Sequence, residues 1–273
     1  MNSALQLLIH CSDLSRIVSS LNYSNEELIK NYHQFIQEYS KTTKSISPRE
    51  IKDAISSKFT MFRGFGQEDS HEFIINFLDM IEEEIKIIIP KYKDIVSVLF
   101  DCVMETSIKS LESPEKSVKQ EPVRFLSVPV YPNNKGEMSL DSCFAAFIQP
   151  EELKEWQTPS NKKERAIKKT LILKYPRNLI FQLKRFSYQN KKGQKITTLV
   201  DIPIEWSPRD EYNYKLKGFV HQTGSLSGGH YTAYIKIKDI WYHFDDSHVS
   251  KIQEKIALNI AKHSYLIYYE KVK

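Results

Sequence analysis

Gly228-Gly229-His230-Tyr231-Thr232-Ala233-Tyr234-Ile235-Lys236-Ile237 runs through Lys238-Asp239 into Ile240-Trp241-Tyr242-His243-Phe244-Asp245-Asp246-Ser247. Two runs rich in aromatic and β-branched residues flank a two-residue turn, which predicts a β-hairpin. In that register Tyr234 faces His243, and His230 and Asp245 become diagonal neighbours on one face. A carboxylate beside an imidazole fixes its tautomer and stabilises its charged form, which is what a base activating a thiol or hydroxyl requires. Gly228 and Gly229 let backbone and a substrate chain approach closely. The plain alternative is a buried His–Asp hydrogen bond that only holds the hairpin together.

Around this hairpin the second half of the chain reads as strands. Phe125–Val130 is extended, and in Asn178–Phe186 the residues Leu179, Phe181 and Leu183 share one face. Tyr214–His221 and Tyr265–Glu270 are further strands. The first half reads as helices. Met1, Ala4, Leu5 and Leu8 lie on one helical face, and a second helix is predicted from Asn25 to about Tyr39. Ser47-Pro48-Arg49-Glu50 is a helix start, Gly64-Phe65-Gly66 is a break, and Phe73, Ile74, Phe77, Leu78 and Ile81 define a long helix ending by Pro90. The polar stretches Ser107–Glu121 and Glu151–Lys169 read as exposed hairpins or loops. Helices first and strands afterwards predict an α+β fold.

The 273 residues, 41% hydrophobic and 27% charged, suffice for a substantial core. The net charge of +5 is scattered, with its densest clusters at Lys162–Lys169 and Lys191–Lys195, and reads as solvated surface rather than a nucleic-acid site. Cys11, Cys102 and Cys143 are widely spaced and odd in number, which argues against a disulfide framework and suits a reducing compartment. No pair forms a CxxC zinc motif. Neither a signal peptide nor a bilayer-length apolar run is visible. The expectation is an intracellular protein, cytoplasmic and/or nuclear, with no membrane partner.

Five blocks stand in an order that resembles the ubiquitin-specific proteases. They are Met1-Asn2-Ser3-Ala4-Leu5-Gln6, Gln67-Glu68-Asp69-Ser70-His71-Glu72-Phe73, Asn178 through Phe186, the hairpin above, and Ser264-Tyr265-Leu266-Ile267-Tyr268-Tyr269. The resemblance covers essentially the whole chain. It implies a papain-like cysteine protease fold with helical thumb, β-sheet palm and β fingers. The chain would be a single domain, 1–273, with the thumb at about 1–95 and the fingers and palm at about 96–273. It implies thiol-dependent hydrolysis after the C-terminal glycine of ubiquitin, with ubiquitin or ubiquitinated proteins as partners. His230 would be the general base, Asp245 its orienting acid and Asp246 an auxiliary. Tyr231, Gly228 and Gly229 would line the channel for the ubiquitin tail. Gln67, Asp69 and Glu72 would bind that arginine-bearing tail, the two carboxylates through bidentate pairs. Asp69-x-x-Glu72 also reads as a helix capping box, and the two roles are compatible.

Two departures from the family pattern set further expectations. The family runs through Asn-Thr-Cys-Tyr directly into Met-Asn-Ser, whereas this sequence starts at that methionine. The nucleophile is therefore expected just before Met1, in an N-terminally truncated domain. Cys11 would lie roughly 15 Å along the first helix, too far to replace it. A full-length form would be a thiol protease; the chain as written would be an inactive, ubiquitin-binding pseudoprotease or scaffold. Second, Cys102 stands alone and Trp156–Lys163 holds no cysteine, so no metal and no cofactor are expected.

Overall fold

The computed structural model describes residues 1–64, 66, 68–132, 136–189, 192–225 and 228–272, without the side chains of 187–189 and 192. Gln67, one of the expected tail-binding residues, lies outside them.

Helices come first: α1 (Asn2–Ile9), α2 (Ser12–Ser20), α3 (Glu27–Lys41), α4 (Arg49–Lys58), α5 (Ser70–Ile88) and α6 (Ile95–Phe100). Strands β1 (Cys102–Ser110), β2 (Lys116–Val123), β3 (Leu126–Pro129) and β4 (Met138–Ser139) precede α7 (Leu140–Ile148). Then follow β5 (Glu151–Gln157), β6 (Lys163–Lys174), β7 (Asn178–Lys184), β8 (Phe186–Gln189), β9 (Lys192–Lys195), β10 (Val200–Asp201) and β11 (Glu205–Arg209). The chain continues through β12 (Tyr212–Gly224), β13 (Gly229–Ile237), β14 (Ile240–Asp245), β15 (His248–Ile252), α8 (Glu254–Ala261) and β16 (Ser264–Lys271). The fold is mixed α+β, as the sequence pattern predicts.

The central sheet is eight-stranded, ordered β15-β14-β13-β12-β16-β7-β3, with β11 attached to β12. The β3–β7 pair is parallel. One face carries the helical lobe: Val220, Ala233, Ile235, Phe244, Leu266 and Tyr268 join the helical core. The other face packs α7, α8 and the aromatic cluster around Trp206.

Helix α1 is the hinge between lobe and sheet. Ala4, Leu5, Leu7, Leu8 and Ile9 are all buried, because this helix has protein on nearly every side. Each buried leucine contributes about 1.5–3 kcal/mol. The sheet makes room for it with Gly218, where an added Cβ would fall 3.2 Å from Leu7 Cδ2 and 2.7 Å from Ile235 Cδ1. Helix α1 ends at Ile9, and Cys11 is the N-cap position of α2. The expected placement of Cys11 inside the first helix is thus corrected: the chain turns at His10 and starts a new helix.

Long-range polar contacts fix the layers. Glu84 of α5 accepts from the Leu28 and Ile29 amides at 3.1 and 2.8 Å, capping α3 from outside. The buried Arg185 guanidinium donates to four carbonyls: Ser264 at 2.6 Å, Ile196 at 3.2 Å, Thr198 at 2.7 Å and Lys262 at 2.7 Å. It thereby locks the exit of β7 to the entry of β16.

The segments read as polar hairpins or loops pair into an outlying antiparallel sheet, β2-β1-β6-β5. Cys102 lies buried at the base of β1, not at the tip. At the tip Glu164 Oε2 accepts from Ser110 Oγ and Ser113 Oγ at 2.5 and 2.6 Å, and Glu115 accepts from the Ser160 amide at 3.2 Å. Carboxylate–hydroxyl bonds cross-link the two turns there.

Candidate active site

The β13–β14 hairpin has the expected register, with Ala233 opposite Phe244 and Tyr234 opposite His243. Lys238 and Asp239 have φ of 47° and 66°, the paired left-handed conformation of a tight two-residue turn. That register brings His230 Nε2 within 2.5 Å of Asp245 Oδ1. The hydrogen bond to His230 is the main cause holding the Asp245 carboxyl below its ordinary value, followed by the charges of His230, His243 and His248. Both side chains remain partly exposed, at 39% and 46%, so a ligand can reach them.

Asp246 turns the chain into β15 with φ of 49°, and its Oδ1 accepts from Asn2 Nδ2 at 2.6 Å. The hairpin end is thereby tied to the first turn of α1. Between them opens a cleft of ≈ 280 Å³. Its walls are the start of α1 (Met1, Asn2, Ser3), residues Lys52, Phe62, Gly64, Gly66 and Glu68, and His230, Tyr231 and Asp246. The positive end of the α1 dipole points into this space.

Asp69 is the N-cap of α5: Oδ1 accepts from the amides of His71 at 2.6 Å and Glu72 at 3.4 Å. Its second oxygen accepts from Tyr265 Oη at 2.7 Å, and that hydroxyl accepts from Gln182 Nε2 at 2.8 Å. The Tyr231 and Tyr265 rings lie 6.0 Å apart. Burial pushes the Tyr231 phenol well up, and the charges of Asp69 and Glu72 push it further. Glu72 itself is exposed, and desolvation followed by the nearby charges of Asp69 and Glu68 raises its carboxyl. Three carboxylates crowded beside two tyrosines form an anionic rim suited to a cationic ligand.

The two glycines before His230 differ. A Cβ on Gly229 would stand 2.0 Å from Gln222 Nε2 and 2.3 Å from Thr223 O, so packing against β12 demands glycine there. Gly228 faces open space, with nothing within 4 Å of an added Cβ.

None of the three cysteines lines the cleft. Burial pushes the Cys11 thiol up to about 12 and the Cys143 thiol up to about 11, and raises Cys102 as well. An activated thiol needs the opposite shift. Among the described residues, His230, Asp245 and Asp246 each offer one ligand atom, all within 4.8 Å of one another, and so could hold a cation. A metal taking His230 Nε2 would have to displace the bond to Asp245.

Sequence reading missed Asn2, Tyr265 and Gln182 as supports of the site. Their partners lie 244, 196 and 83 residues away, and no local pattern announces such contacts.

The His–Asp pair, at the ends of two neighbouring strands of the central sheet, shares its cleft with the N-terminal end of a buried helix. The family model described as ubiquitin carboxyl-terminal hydrolase matches residues 1–269. The chain belongs to this family of deubiquitinating cysteine proteases. It is 40% identical to ubiquitin carboxyl-terminal hydrolase 9 of Arabidopsis thaliana over 151 residues, 50% of this chain and 16% of that protein. It is 27% identical to ubiquitin carboxyl-terminal hydrolase 2 of Gallus gallus over 267 residues, 83% of this chain and 74% of that protein. The chain thus spans only a small part of the Arabidopsis relative. The SAGA Ubp8/Sgf11/Sus1/Sgf73 DUB module bound to ubiquitin aldehyde contains a chain of the same fold, with TM-score 0.84 and 23% identity, covering 100% of this chain and 67% of that one. A second structure of that module, bound to monoubiquitin, matches with TM-score 0.83 and 24% identity over 100% of this chain and 66% of that one. Among the described residues no helix is long and apolar enough to cross a membrane.

Proposed function

We propose that the cleft binds the C-terminal tail of ubiquitin and, when a cysteine stands at the N-terminal end of α1, hydrolyses the bond after its terminal glycine. The observation that carries this reading is the 2.5 Å contact between His230 and Asp245 in a cleft whose opposite wall is the start of α1. A cysteine immediately ahead of Met1 would sit at the positive end of the helix dipole, which lowers a thiol's pKa. His230 takes the thiol proton, and the thiolate attacks the carbonyl carbon of the terminal glycine. His230 then returns the proton to the leaving amine, and water resolves the thioester. Asp245 keeps the imidazole oriented and stabilises its cationic form. Asp246, bonded to Asn2, holds the hairpin end against α1. Glu72 and Asp69 pair with arginine in the tail, Gln67 belongs to the same block, and Tyr231 with Gly228 and Gly229 borders the channel.

A second reading is favoured by the three buried, high-pKa cysteines. On it the 273-residue chain binds ubiquitin without cleaving it. We take 1–273 as one catalytic-type domain with a helical lobe at about 1–95, acting in a reducing, intracellular compartment. The test is release of a fluorophore from the C-terminus of ubiquitin by this chain and by a version extended with Asn-Thr-Cys-Tyr. Turnover by the extended chain alone supports the protease reading. Tight binding without turnover by either leaves the scaffold. Absence of ubiquitin binding overturns both.

A further inference from the structure

Two chambers adjoin the start of α1 and differ in their balance of charge. The cleft side is lined by Glu68 and Asp246 together with Lys52, and Asp69 and Glu72 stand close to its Tyr231. On the other side lies an open depression of ≈ 870 Å³ that shares Met1, Asn2 and Lys52 with the cleft and is lined by Arg49, Lys52 and Arg63 against a single carboxylate, Asp53. Two of the cations are aimed by the backbone. Arg63 Nε donates to Ser56 O at 3.0 Å and its Nη2 to Ser57 O at 3.5 Å, while Lys52 Nζ donates to Gly64 O at 2.7 Å. Arg49 meets Asp53 at 3.8 Å with both side chains largely exposed, a weak pair that an incoming anion can share.

An isopeptide bond has two sides, the ubiquitin tail and the lysine-bearing conjugate. Resting on the reading that the carboxylate side holds the tail, we propose that the Arg49–Lys52–Arg63 depression receives the conjugate and selects anionic side chains flanking the modified lysine. The backbone-held Arg63 guanidinium keeps its charge while losing little further side-chain freedom, so a carboxylate or phosphate gains from pairing with it. The tail then lies by the carboxylates near Tyr231 and the leaving chain by the cations of the depression, which also fixes the direction in which a conjugate lies.

The test compares the affinity of the 273-residue chain for free ubiquitin and for ubiquitin isopeptide-linked to peptides with Asp/Glu, phosphoserine, neutral or Lys flanks. Acidic or phosphorylated flanks are expected to bind about fivefold tighter than neutral ones, a gain of the size that two exposed pairs supply. That gain shrinks with added salt. Arg49→Gln with Arg63→Gln abolishes the difference and leaves free ubiquitin binding unchanged. Arg49→Gln alone, on an exposed side chain, reduces it even where the double variant fails to fold, and Asp53→Asn enlarges it. A larger gain with phosphoserine than with Asp/Glu identifies phosphate as the better ligand. Equal affinity for acidic and neutral conjugates, with free ubiquitin bound, overturns this inference alone. No binding of free ubiquitin overturns the reading beneath it as well.

Discussion

His230 Nε2 and Asp245 Oδ1 are 2.5 Å apart, joined across a hairpin whose turn is the pair of left-handed residues Lys238 and Asp239. The contact follows from strand register alone, since a one-residue slip would carry either side chain to the opposite face.

Asp245 therefore stays ionised through the neutral and mildly acidic range. Its folded value lies below the ordinary one because of the bond to His230, so the stabilisation is present above the unfolded pKa and is lost as pH falls through the depressed folded value. A carboxyl-carbon NMR titration should place the Asp245 midpoint below that of an exposed aspartate, and removing the imidazole with His230→Ala should raise it. A midpoint at or above the ordinary value in the parent chain would contradict the assigned cause. In a thiol-bearing chain, Asp245→Asn should lower kcat/KM by about 10²–10⁴-fold.

Asp69 and Glu72 separate by measurement into two roles. Asp69→Ala removes an N-cap and a bond to Tyr265, and should cost about 1–2 kcal/mol in chemical denaturation. Glu72→Ala, at an exposed position, should change stability by no more than about 0.5 kcal/mol. The same change should weaken ubiquitin binding about tenfold, as loss of a charge-assisted pair does. Unchanged affinity in Glu72→Ala would leave this segment with the capping role alone.

Arg185 holds four carbonyls from two segments, and burial lowers its guanidinium to about 10. Arg185→Ala orphans those acceptors and should cost about 3 kcal/mol or more. Arg185→Lys should recover only part, because an ammonium cannot reproduce the planar fork. Urea denaturation of both variants decides this; a loss under about 1 kcal/mol for the alanine variant would show that water replaces the guanidinium.

The hairpin was legible because alternation and a two-residue turn fix register locally. The long helix α5 was legible from Phe73, Ile74, Phe77, Leu78 and Ile81. Helix α2 was not, because the chain breaks at His10-Cys11 without glycine or proline, and the apolar run passes through. The outlying sheet was read as polar hairpins or loops because Ser107, Lys109, Lys116, Lys168 and Lys169 leave no clean alternation in strands whose faces are both wet. Its carboxylate–hydroxyl cross-links, like the Asn2–Asp246 and Asp69–Tyr265 bonds, join residues far apart in the chain and carry no local signature. The sequence marks His230, Asp245 and Asp69 as candidate site residues; the fold supplies the bonds that hold them.

The most direct test is covalent capture by ubiquitin bearing a C-terminal thiol-reactive electrophile, read by intact mass. The chain extended with Asn-Thr-Cys-Tyr should gain one ubiquitin, on the added cysteine, and lose that reaction with His230→Ala. The 273-residue chain should gain none, because its three thiols are buried. No adduct on the folded extended chain, or an adduct on Cys11, would contradict a catalytic site built from the start of α1, His230 and Asp245.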